Sequence, residues 1–127
     1  MNPASTSMAF EHDLGLKMVR KHKDGVTCAL VVRPDHMNSN GVMHGGVVAS
    51  IADEAAWYTI IAALGTEKPM TTSELKVNYL RPIAGKRATA RGYLLKLGRM
   101  LSVTRVDIFD DKKKLAAHAT VTYAMLG

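Results

Sequence analysis

Hydrophobic and polar positions change their period several times along the chain. Gly25–Pro34, GVTCALVVRP, alternates and closes on a proline, so it reads as a strand. Asp35–His44, DHMNSNGVMH, is rich in Asn and Asp and reads as a loop. Gly45–Leu64 is apolar on nearly every side and predicts one long helix. Four strands follow. KPMTTSELKVNYLRP places Ser73, Leu75, Val77 and Tyr79 on one face. GKRATARGYLLKLG and RMLSVTRVDIF come next, and DDKKK makes a turn. LAAHATVTYAM then alternates from Leu115 to Met125. Upstream, MAFEHDLGLKMV predicts a short helix, and Met1–Ser7 are expected to fray.

The predicted order is strand, long helix, then four strands with short connections. Short connections favour antiparallel pairing. A helix that is hydrophobic all round has to be covered all round. One antiparallel sheet curling around that helix covers most of it. The expected fold is therefore α+β: a five- to six-stranded antiparallel sheet wrapped around one central helix, the architecture called the hotdog fold. A sheet wrapped once leaves edges and one side of the helix bare, so a dimer is expected.

The chain has 127 residues, which predicts a single domain over 1–127. Its one cysteine, Cys28, rules out an internal disulfide framework or a cysteine-based zinc site. The reading is a reducing, cytoplasmic setting, with Cys28 as packing. The first residues hold no apolar run of signal-peptide length. Gly45–Leu64 is long enough to span a bilayer, but Asp53 and Glu54 near its centre argue against a membrane. The net charge of +6 raises the question of nucleic acid or of a phosphorylated small molecule. The basic residues lack interleaved aromatics, so nucleic acid is not expected as a partner.

Two adjacent acids in the most apolar helix need an explanation. HGGVVASIADEA, followed by KVNYLRP and by GR, resembles the hotdog-fold acyl-CoA thioesterases, in the PaaI-like branch of the 4-hydroxybenzoyl-CoA thioesterase superfamily. The resemblance covers about Gly25 to Met125. It implies that Asp53 is the catalytic carboxylate and that the Gly45 backbone N–H binds the thioester oxygen. It implies that His44 and Asn38 shape the site and orient substrate and water, and that the Thr72 hydroxyl lies near the attacking water. More loosely, it makes Arg99, Lys96 and Arg91 candidates for contacts to the CoA phosphates. No cofactor is implied, since CoA is part of the substrate, and no His/Cys/Asp cluster has metal-ligand spacing.

The helix itself supports part of this. Gly45 and Gly46 open it, so their N–H groups lack intrahelical partners at the positive end of the dipole, a donor site for a developing oxyanion. Asp53 lies eight residues on, roughly 12 Å along the axis. Reacting groups must lie within roughly 3–3.5 Å of one another. If both groups act on one carbonyl, they come from different subunits of a homodimer. The family pattern extends this to a homotetramer.

Glu54 is one helical step, about 100°, from Asp53 and is expected to point elsewhere, into a salt bridge. Trp57 is core or acyl-pocket wall. His118 reads as structural or surface, and His12, His22 and His36 carry no signal. The acyl group stays open between aromatic and medium-chain. Two other readings stand beside the thioesterase: a hotdog hydratase or dehydratase, and a non-catalytic acyl-CoA binder.

Overall fold

The computed structural model describes residues 9–127. The expected fraying of Met1–Ser7 lies outside the described residues. In chain order the elements are α1 (Phe10–Leu14), β1 (Lys17–His22), β2 (Gly25–Val31), a 3-10 turn (Pro34–His36), α2 (Gly45–Leu64), β3 (Met70–Tyr79), β4 (Arg87–Leu97), β5 (Leu101–Phe109) and β6 (Leu115–Met125). Six strands form one sheet in the order β1-β2-β4-β5-β6-β3, with every pair antiparallel. The sheet curls over α2, which packs against all six of its strands. This is the expected hotdog architecture.

One strand differs from the sequence reading. MAFEHDLGLKMV divides into a helix and the start of β1. Gly15, at φ 77°, stops α1 after Leu14, and its N–H donates to the Glu11 carbonyl. A left-handed residue at this point is the usual glycine helix stop. The chain then enters β1, which is the sixth strand and one edge of the sheet. The strand read as ending at Pro34 ends at Val31, and Pro34 opens the 3-10 turn.

Small residues let α2 lie close to the sheet. Ala88, Ala90 and Gly92 alternate along the inner face of β4, and Ala117 and Ala119 do so on β6. Against them pack Ile51, Ala52, Ala55, Ala56, Thr59 and Ile60 of α2, all fully buried. A Cβ on Gly92 would lie 2.1 Å from Thr59 Oγ1, so only glycine fits beneath this turn of the helix. The opposite side of α2, including Ser50, Asp53, Glu54, Trp57 and Tyr58, is only partly covered. Although α2 is long and apolar enough to cross a membrane, it is the core helix of this sheet.

A bulge in β3 fixes which residues face α2. Leu75, Val77 and Tyr79 pair with Val121, Ala119 and Ala117, as simple alternation requires. Between Thr72 and Glu74 the register shifts by one residue. Thr72 therefore pairs with Tyr123 and shares the inner face with Leu75, whereas Ser73 falls in the bulge. Strict alternation had placed Ser73 on that face. Bulges commonly re-aim a side chain in this way.

Candidate active site

The site is built where the middle of α2 meets the start of β3 and the end of β6. Asp53 projects from the half-covered side of α2. Its Oδ1 accepts a hydrogen bond from Thr72 Oγ1 at 2.7 Å and one from the Tyr123 hydroxyl at 2.9 Å. Tyr123 also lies 3.0 Å from the Asp53 carbonyl oxygen. Burial pushes the Tyr123 phenol well above its ordinary range, so it stays protonated and serves as a donor. Both donors sit on Oδ1. Asp53 Oδ2 has no hydrogen-bond donor among the described residues.

Asp53 opens onto a groove of about 620 Å³. Its floor is one stripe of α2, Ser50, Asp53, Glu54, Trp57 and Tyr58, the i, i+3, i+4, i+7, i+8 spacing of a helix face. The start of β3 walls one side and α1, through Phe10 and Glu11, the other. Trp57 lines the groove and also packs against the core, so it takes both of the places the sequence left open. Glu54 corrects its expectation: it lines the same groove as Asp53 and forms no salt bridge among the described residues. A step of 100° separates two neighbours on a helix, yet a groove this wide takes in both. Burial first, then the charges of Glu11 and Asp53, lifts the Glu54 carboxyl to about 7.

The start of α2 is a second, separate centre. His44 is the N-cap, and its Nδ1 accepts from the Gly46 N–H at 2.8 Å. That bond leaves the ring proton on Nε2 in the neutral form. The Gly45 N–H has no acceptor among the described residues, and it stands at the positive end of a 20-residue helix. Tyr79, from the far end of β3, packs over this turn and donates to the Gly45 carbonyl at 2.7 Å. Gly45, His44 and Asn38 are absent from the groove around Asp53.

Asn38 is committed to its own loop. Its Oδ1 accepts from the Asn40 N–H at 2.8 Å and from the Val42 N–H at 3.3 Å, and its N–H donates to the Val42 carbonyl at 2.8 Å. It shapes the segment that leads into His44, as an Asx turn does.

The three basic candidates separate. Arg99 is exposed in the turn between β4 and β5. In that turn the Met100 carbonyl accepts from the Met125 N–H, two residues beyond Tyr123, so Arg99 lies at the Asp53 end of the sheet. Lys96 is exposed on the outer face, opposite Val103. Arg91 is engaged elsewhere on that outer face: it donates to Asp24 Oδ1 at 2.6 Å and stacks 4.1 Å from the Tyr93 ring centre. Arg91 is thus already paired with a carboxylate, whereas Lys96 and Arg99 have no ion-pair partner among the described residues. Cys28 is buried beneath α2, and desolvation raises its thiol to about 12, in keeping with packing. His118 holds Asp107 at 2.8 Å on the outer face, a structural pair. Among the described residues no group of His, Cys, Asp and Glu could hold a metal ion.

Sequence reasoning missed Tyr123 and Tyr79. Tyr123 carried one usable signal: it falls on the inward phase of the β6 alternation, where a phenol needs a buried partner.

Comparison with known proteins identifies the family. The thioesterase superfamily profile matches residues 40–117, the span from the loop before His44 into β6. The chain is 31% identical over 131 residues to the medium/long-chain acyl-CoA thioesterase YigI of Escherichia coli K12, covering 91% of this chain and 84% of that protein. Among solved structures, a variant of the phenylacetic acid degradation protein PaaI from Thermus thermophilus superposes with a TM-score of 0.79 at 29% identity, over 92% of this chain and 98% of that one. A conserved protein of Pseudomonas aeruginosa gives a TM-score of 0.85 at 25% identity, over 99% of this chain and 100% of that one. With the fold, the helix-borne acid and these matches in agreement, the chain belongs to the thioesterase superfamily and is a hotdog-fold thioester hydrolase.

Proposed function

We propose that the protein hydrolyses acyl-CoA to free acid and CoA, with a medium-chain acyl group in the groove beside Asp53. The observation that carries this reading is the Asp53 carboxylate, held through one oxygen by two hydroxyls and open to a groove through the other. The name of the YigI relative, a medium/long-chain acyl-CoA thioesterase, supports the acyl class over an aromatic one. The apolar side chains of Phe10, Trp57 and Met70 in the groove agree with it.

In the proposed reaction Asp53 Oδ2 takes a proton from water as the water oxygen bonds to the thioester carbonyl carbon. The carbonyl oxygen becomes an oxyanion, which accepts a hydrogen bond from a Gly45 N–H. The tetrahedral adduct collapses, the C–S bond breaks, and the thiolate leaves. Thiolates are weak bases, so no strong acid is needed at this step. The proton on Asp53 passes to the thiolate or to solvent. Lys96 and Arg99 hold the CoA phosphates in this reading.

Two subunits complete each site. Within one chain Asp53 and Gly45 are eight residues apart along α2, roughly 12 Å. β3 is an unpaired edge, with Thr72 near one end beside Asp53 and Tyr79 at the other beside Gly45. If β3 pairs antiparallel with β3 of a second copy about a two-fold axis, the Thr72 end of each strand meets the Tyr79 end of the other. That pairing sets Asp53 of one chain against Gly45 of its partner. A homodimer is thus the proposed working unit, and a homotetramer the proposed assembly.

A thiol-release assay on a panel of acyl-CoAs tests the reading. It holds if hydrolysis peaks at a medium chain and Asp53→Asn abolishes it. Wild-type protein inert toward every acyl-CoA would sink it.

A further inference from the structure

We propose that Glu54, on the floor of the acyl groove beside Asp53, is a specificity-determining residue whose gain or loss of a proton sets how readily the groove takes an apolar chain. The inference rests on the thioesterase reading above and extends it to acyl selection.

The two adjacent acids of α2 have opposite surroundings. Asp53 leans toward β3 and β6, where two hydroxyls donate to it. Glu54 leans toward α1 and has no hydrogen-bond or ion-pair partner among the described residues. It is half-buried in the same groove. Among the described residues the titratable groups around it are Glu11 from α1, Glu67 from the α2–β3 loop, Asp53 and Tyr58 from α2, Cys28 from β2 and Tyr123 from β6. None is a cation, so nothing in this set neutralises an ionised Glu54.

A carboxylate in that position needs water. An apolar acyl chain laid along Trp57 and Phe10 would strip that water, and a desolvated, unpaired anion is strongly disfavoured. The neutral acid has no such requirement. A short acyl group stops near Asp53 and leaves the water in place. Glu54 thus acts on long chains more than on short ones. Burial pushes its carboxyl up to about 7, so this part of the floor is neutral below that pH and anionic above it.

The test is the ratio of kcat/KM for dodecanoyl-CoA to that for butanoyl-CoA, measured from about pH 6 to about pH 8. Effects on the shared chemical step and on phosphate binding act on both substrates and cancel in the ratio. In the wild type the ratio should fall about tenfold across this range. Glu54→Gln, a neutral near-isostere, should hold the ratio at its low-pH value throughout. Glu11→Gln, which removes a neighbouring negative charge, should move the wild-type midpoint to lower pH. A pH-independent ratio in the wild type, or an unchanged pH dependence in Glu54→Gln, overturns the inference. If that happens while Asp53→Asn still abolishes turnover of both substrates, the thioesterase reading survives alone. If the wild type hydrolyses neither substrate, both fall.

Discussion

Tyr123 donates to Asp53 Oδ1 at 2.9 Å from a position 70 residues further along the chain. Its cross-strand partner in the sheet is Thr72, the other donor to the same oxygen. The carboxylate is therefore oriented by a single rung between β3 and β6.

That rung can be tested one hydroxyl at a time. We expect Tyr123→Phe and Thr72→Ala each to lower kcat by about tenfold with little change in KM, since each leaves the base in place but loosens its aim. Asp53→Asn should lower kcat by about 10² or more. Steady-state kinetics on folded variants, checked by circular dichroism, decide this. Full activity in Tyr123→Phe would show that the rung does not matter to the chemistry.

Complementation examines the shared site. Gly45→Pro has no N–H at the helix start, and Asp53→Asn has no carboxylate. Each homodimer should be nearly inactive. A mixed dimer would hold one intact site and one doubly defective site, so activity approaching half of wild type should return on subunit exchange. The Pro variant has first to be shown to fold. Verified heterodimers without recovery would place the whole site within one chain.

The basic residues should divide as the structure divides them. Arg99→Ala is expected to raise KM for acyl-CoA several-fold with little effect on kcat, and to matter little for a truncated thioester lacking the nucleotide. Arg91→Ala should leave KM nearly unchanged and lower the melting temperature, because it frees Asp24 and uncovers Tyr93. Kinetics on the two thioesters and thermal melts separate these outcomes.

The contact between α2 and β4 carries a stability prediction. Gly92→Ala drives a methyl into Thr59 Oγ1 and should destabilise the fold by about 1–3 kcal/mol. Thr59→Ala vacates that space, although it also removes the hydroxyl bond to the Ala55 carbonyl. The double variant should be more stable than Gly92→Ala alone, as measured by urea unfolding. Simple additivity of the two losses would contradict the packing account.

What the sequence disclosed follows from how local each signal is. The α2 pattern and the β6 alternation are properties of contiguous residues, and both elements formed as read. So did the glycine-opened helix start and the acid near its middle. β1 was hidden because Lys17–His22 is an edge strand, mostly exposed and without a clear inward phase. Its identity comes from pairing with β2, which the exposed residues of Lys17–His22 do not reveal on their own. Thr72 was named by resemblance, while periodicity favoured Ser73, and only the bulge reconciles the two. Glu54 was misread because an angle on a helix says nothing about the width of the groove beside it. Arg91 could not be told from Arg99 without Asp24, 67 residues away.

The rung on Oδ1 removes a symmetry. On a free aspartate a half-turn about the Cβ–Cγ bond exchanges the two oxygens. Here that rotation would break both hydroxyl bonds at once, and hydrogen bonds to a charged group are worth about 1.5–3 kcal/mol each. At any instant the oxygens of Asp53 therefore play different parts: one accepts from Thr72 and Tyr123, and the other is left to the groove. Turnover in heavy-oxygen water would then separate two routes. A mixed anhydride opened by water at the Asp53 carbonyl would carry the isotope into the side chain. Direct attack by water would leave both oxygens as they were made.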